Sequence, residues 1–154
     1  MKKITLILLL LSLFCRLSAQ DGLPYKPFEA FNNDTLAFMD YNFRQRAEYY
    51  KGKTVGKVLE DISLPIKVFE RGMKGYTTFC ILVYTDSVPH EMKGNYITVF
   101  LQNPVDSRKL VKLMGGDPNS KTWTPEIYEF LKNEKVEVVR PNHYRLWKEK
   151  GIRM

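Results

Sequence analysis

Cysteine and histidine are scarce in this chain. The 154 residues hold two of each: Cys15, Cys80, His90 and His143. Zinc sites need convergent His and Cys ligands. Neither histidine has a second one at helical or strand spacing, so no metal and no cofactor is expected. Cys15 lies in the apolar N-terminal stretch described below. Cys80 is then the sole cysteine of the remainder, and an intramolecular disulfide is excluded. A reactive thiol wants an exposed, electropositive setting. Cys80 instead sits inside Phe79-Cys80-Ile81-Leu82, where a cysteine behaves as a small buried apolar residue. Repeats and low-complexity tracts are also missing. So are the glycine-rich phosphate loops and the nucleophile elbow of serine hydrolases.

Long hydrophobic runs are missing too, with one exception. Ile4 to Cys15 is a twelve-residue apolar stretch, preceded by Lys2-Lys3 and followed by Leu17-Ser18-Ala19. That is the build of a secretory signal peptide. It is short for a membrane-spanning helix, which needs about 20 apolar residues. Residues 1–19 are therefore expected to be removed on export through the inner membrane, to the periplasm or beyond. Cys15 raises a lipoprotein alternative, but Phe14 stands where a lipobox wants a small residue. Size and leader resemble the short exported proteins of Gram-negative bacteria, which implies location alone.

The formal charge of +7 is unevenly distributed. Lys2, Lys3 and Arg16 belong to the leader. From Gln20 to Val139, sixteen basic and sixteen acidic residues cancel. The excess lies in Arg140 to Met154, which sets Arg140, Arg145, Lys148, Lys150 and Arg153 against Glu149. A uniformly basic chain would suggest nucleic acid. A neutral body with a basic end suggests a local contact instead, and no nucleic-acid partner is expected.

Hydrophobic periodicity and turn residues divide the chain from Gln20 onward. Residues 20–33, with Pro24, Pro27 and Asn32-Asn33, form an extended lead-in whose Tyr25, Phe28 and Phe31 can tuck against the body. A single α+β domain over 34–154 follows. Asp34 caps a helix with Leu36, Met39, Phe43, Ala47 and Tyr50 on one face, closing near Gly52. Thr54 opens a second helix with Val55, Val58, Leu59 and Ile62 inward, stopped by Pro65. Gly56 weakens it by about 1 kcal/mol relative to alanine.

A first strand is expected over 66–69, with Gly72 and Gly75 turning into Thr77–Tyr84. That run is apolar on both alternating faces, Phe79, Ile81 and Val83 against Cys80, Leu82 and Tyr84. It reads as a central strand covered on both sides. Tyr96–Leu101 returns and is broken by Asn103-Pro104. A short helix over 106–114 precedes the turn cluster Gly115–Ser120. Thr124 then caps a helix with Pro125 at its first position and Ile127, Phe130 and Leu131 inward. Val136–Val139 is a last strand, stopped by Pro141. Grouped strands flanked by helices predict about four mainly antiparallel strands with helices on at least one face.

Four stretches could carry chemistry. Asp86-Ser87-Val88-Pro89-His90-Glu91 holds the residue types of a hydrolase triad. Type alone supplies neither a base within reach nor an oxyanion hole, and a solvated hairpin loop accounts for the same residues. Asp117 and Asn119 form a fragment of a calcium loop without its glycine and distal glutamate, and read as a plain turn. Adjacent Glu60 and Asp61 on a helix point about 100° apart and do not converge.

The fourth stretch begins at Arg140. It interleaves Arg140, Arg145 and Lys148 with His143, Tyr144 and Trp147. Cations between aromatic rings suit stacking on a sugar-like surface with neighbouring anions, or a membrane headgroup region. They equally suit a segment docked on its own domain with the cations in water. The leading expectation is a non-catalytic binding module for an envelope protein or an anionic envelope polymer. The alternatives are a small extracytoplasmic hydrolase using residues 86–91, and an accessory or inhibitor subunit of a secreted complex.

Overall fold

A computed structural model describes residues 22–85 and 95–142. The chain enters through a 3-10 turn, Phe28–Phe31. A helical segment follows, made of α1 (Thr35–Met39), a π-helical turn (Asp40–Gln45) and α2 (Ala47–Tyr50). Next come α3 (Val55–Ile62), β1 (Val68–Lys74), β2 (Thr77–Tyr84) and β3 (Tyr96–Asp106). The order closes with α4 (Ser107–Leu113), α5 (Pro125–Leu131) and β4 (Val136–Pro141). The sheet has the order β1-β2-β3-β4, antiparallel throughout. This is a single α+β domain.

The helix starts follow from local chemistry. The Asp34 carboxylate accepts from the Leu36 and Ala37 amides, and the Thr54 and Thr124 hydroxyls accept from those of Lys57 and Ile127. Each cap satisfies amides that a helix leaves without partners, and each contributes about 1 kcal/mol. Gly56 has a reason to interrupt α3. Its amide donates to Lys132 O at 2.9 Å, and a Cβ there would meet that oxygen at 3.0 Å. The weak helix former is what lets α3 approach the end of α5.

The π turn decides which face of the first helical segment is buried. Steps of four residues drift by roughly 40° in an α-helix. The wider turn takes up part of that drift. Phe38, Asn42, Arg46 and Tyr50 all lie inward as a result. The apolar spacing had predicted Leu36 and Ala47 on the buried face, and both are only half-buried.

Strand boundaries differ from expectation at both ends of β1 and at the C-terminal ends of β3 and β4; β4 is not stopped before Pro141 but includes it, pairing Pro141 with Ile97 of β3. β1 starts at Val68, two residues later than predicted, and runs through Gly72 to Lys74. Only Gly75 turns the chain, with φ of 60°. β3 continues past Asn103-Pro104. The register jumps there from Cys80↔Phe100 to Thr78↔Val105, so Gln102 to Pro104 bulge outward and the ladder resumes. Pro104 is tolerated because a bulged residue owes the ladder no amide. Phe79 is also a bulge residue, since Gly72 pairs with Cys80 and Met73 with Thr78. The extra residue changes the facing of the strand. Thr78 turns inward to Ser107 at 2.8 Å, while Phe79 turns outward and stacks on Phe100 at 6.4 Å. The predicted grouping of Phe79 with Ile81 and Val83 is corrected accordingly.

Every described α-helix contributes to one core. Phe38, Phe43, Tyr50, Val58, Leu110 and Ile127 meet Phe69, Ile81, Val83, Ile97, Val99 and Val139 on one face of the sheet. Full burial of each large side chain contributes roughly 1.5–3 kcal/mol before entropy is counted. The opposite, outer face carries a different set. Cys80 lies opposite Phe100, Leu82 opposite Thr98, and Tyr84 opposite Tyr96. None of these belongs to the helix-covered core. β2 is therefore central, as expected, but the described helices cover one of its faces.

Candidate functional site

The clearest concavity among the described residues lies along the β4 edge. Its volume is about 520 Å³, and Arg44, Tyr96, Thr98, Val138, Arg140 and Asn142 are among its lining residues. Three elements position it. Arg44 projects from the π turn, which packs on β4. Tyr96 and Thr98 come from β3, and Thr98 pairs with Arg140 of β4. The Asn142 amide donates to Tyr96 O at 2.8 Å, so the chain is held to β3 one residue beyond the strand. Residues 52–54 close the other end of the edge. There Gly52 N donates to Val136 O, and Thr54 bridges Lys135.

The described lining carries two arginines and one aromatic ring, that of Tyr96. The exposed Arg140 guanidinium lies 5.3 Å from the Phe100 ring centroid. Arg44 is held by Asp40, with Nε to Oδ1 at 2.5 Å and Nη2 to Oδ2 at 2.7 Å. That bidentate pair raises the Arg44 pKa further. Burial, and then the charge of Glu70, push the Tyr96 phenol above its ordinary value, so it is a neutral hydrogen-bond donor at pH 7. No acidic residue is among the described lining. Such a groove can accept anionic or hydroxyl-rich groups. Its described lining offers no nucleophile paired with a base.

A second polar cluster is internal. Arg46 is 5% exposed and Asp61 6%. Arg46 Nε donates to Leu23 O at 2.6 Å, and its Nη1 donates to Tyr50 Oη at 3.2 Å. The Tyr50 hydroxyl donates to Asp61 Oδ2 at 3.0 Å. Lys57 Nζ reaches Asp61 Oδ1 at 2.9 Å and Glu60 at 3.1 Å. Asn42 pairs with Lys26 through both its amide groups. Arg46 also lies 4.6 Å from the Tyr49 ring centroid. These groups satisfy one another, and their product is a lead-in fastened to the helices. Burial, then Asp61, hold the Tyr50 phenol far above its usual range.

Of the sequence-predicted site residues, Arg140 is in the groove. His143, Tyr144, Arg145, Trp147 and Lys148 lie outside the described residues. So do Asp86, Ser87, His90 and Glu91. Glu60 is exposed and Asp61 buried, in keeping with their 100° separation, and Lys57 bridges the two. Asp117 Oδ1 accepts from Asn119 N at 2.8 Å, which makes a plain turn. No group of three or more His, Cys, Asp or Glu among the described residues could hold a metal, and no described helix is long and apolar enough to cross a membrane. Sequence reasoning missed Arg44, Tyr96 and Asn142. Their convergence depends on pairing between β3 and β4 and on the π turn, which leave no local signal. No family model matches the chain, and no curated protein or solved structure matches it significantly.

Proposed function

We propose that this protein is an exported, non-catalytic binding domain. Its ligand would be an envelope protein or an anionic envelope polymer, engaged at the β4 edge and the basic segment that follows. The observation carrying this reading is the groove itself. It sets Arg140 and Arg44 beside Tyr96 and Asn142, without a carboxylate in the described lining. Arg140 is also the first residue of the stretch that holds the chain's excess positive charge. Arg145 and Lys148 extend the same charge along the sequence. Exposed cations of this kind give affinity that salt weakens.

The test is retention from solubilised cell envelope by the chain 20–154. The comparison proteins are a chain ending at Asn142, which keeps β4 whole, and the variant Arg140→Ala. The full chain is expected to hold a partner at low salt and release it at high salt. Truncation should abolish retention, and Arg140→Ala should weaken it several-fold. Ser87→Ala and His90→Ala should leave it unchanged. Equal retention by the full and truncated chains would overturn the proposal.

A further inference from the structure

The outer face of the sheet poses a problem that the helices do not solve. Tyr84 is 1% exposed and Cys80 is 4% exposed, yet both point away from the helix-covered core. In-plane neighbours shield a side chain's flanks. On an uncovered antiparallel sheet, its outward end stays wet. The face is also apolar and aromatic, with Leu82 between Cys80 and Tyr84 and with Phe79 stacked on Phe100. Its carboxylate Glu70 already accepts from Tyr84 Oη at 2.8 Å and is paired with Lys121. The face is thus built for apolar contact.

We infer that residues 143–154 of this same chain cover the outer sheet face. Tyr144, Leu146, Trp147 and Ile152 would pack toward Cys80, Leu82 and Phe100. Arg145, Lys148, Lys150 and Arg153 are then left in water beside Arg140. The point of departure supports this, because Asn142 is bonded to Tyr96 O and the segment starts at the rim of the face. Reach supports it as well. Three inter-strand steps of about 4.8 Å separate β4 from β1, and twelve extended residues span up to about 40 Å. Composition favours it over the 86–94 connection, which leaves the same rim with only Val88, Pro89 and Met92 as apolar material. The inference stands apart from the ligand proposed above. It assigns the aromatic residues of the segment to the fold and leaves the cations for a partner.

The experiment needs no ligand. In the chain 20–154 with Trp123→Phe, Trp147 is the only indole. Its emission should be blue-shifted, and acrylamide quenching should be several-fold slower than in urea, at any protein concentration. Phe100→Asp should restore quenching to the unfolded level while far-UV circular dichroism stays native. Cys80, whose Sγ lies against Gly72 on this face, supplies a second readout. Its labelling by a thiol reagent should quicken at least tenfold in the chain ending at Asn142. Trp147 as accessible in the native chain as in urea would overturn the inference. So would shielding that appears only at high concentration, which points to a second copy. Slow labelling in the folded truncation would assign the cover to another segment. If the truncated chain does not fold, the Trp147 measurement in the full chain decides alone.

Discussion

Arg46 is a buried cation with a carboxylate 4.0 Å away and three polar contacts of its own. Removing one member of such a set leaves the others desolvated and unmatched. Tyr50→Phe deletes the hydroxyl that joins Arg46 to Asp61, and should cost roughly 1–3 kcal/mol at pH 7 by urea unfolding. The same residue governs behaviour in alkali. Burial and then Asp61 raise the Tyr50 phenol, and hydrogen bonds to Asp61 and Glu60 raise Lys57 to about 12. In the unfolded chain both groups lose their protons near pH 10, so above that pH the unfolded state binds fewer protons than the native one. Stability from these groups is complete below about pH 10 and declines as pH rises beyond it. The urea midpoint should therefore fall above pH 10, and fall less steeply in Tyr50→Phe. Parallel declines would move the alkaline limb to other groups. Gly72 is a separate case. A Cβ there would sit 2.3 Å from Cys80 Sγ, so Gly72→Ala should cost roughly 1–3 kcal/mol. Cys80→Ala should recover part of that loss in a double-mutant cycle.

At the level of elements, what was legible in the sequence is what is decided locally. Asp34, Thr54 and Thr124 announce helices because a cap acts on amides two or three residues away. The β-branched and aromatic run at Thr77–Tyr84 announces a central strand for a similar reason. The bulge at Phe79 was not legible, since it exists only against the register of β1. The passage of β3 through Pro104 likewise depends on β2. The burial of Arg46 is set by residues 22–27, which fold back over it, and no periodicity within the helix encodes that cover. In the groove, Arg140 was found from charge distribution, whereas Arg44, Tyr96 and Asn142 arrive there through tertiary pairing. The clamp itself can be tested. Arg46→Met keeps the length of the side chain and removes its donors. It should lower stability by about 2–4 kcal/mol and speed proteolysis in residues 22–33, and unchanged proteolysis would show that the aromatic contacts of Phe28 and Phe31 suffice to hold the lead-in.

Across the whole molecule, the first of the described helices rest on the last of the described strands. The π turn and α2 pack on β4, and residues 52–54 hydrogen-bond to its start. β4 in turn completes the wall formed by Val136 and Val139 in the core. A chain ending at Asn133 should keep helical far-UV dichroism but lose its near-UV aromatic signal and its cooperative unfolding. A sharp transition in that chain would show β4 to be dispensable. The arrangement also has a consequence in time. Synthesis delivers Tyr50 long before Val136, and the contacts joining them span most of the chain. Closing such distant contacts is slow and cannot begin until β4 has left the ribosome. The nascent chain therefore remains open for nearly the whole of its translation, with a foldable body but no means of locking it. A polypeptide in that condition can still be threaded through a narrow channel.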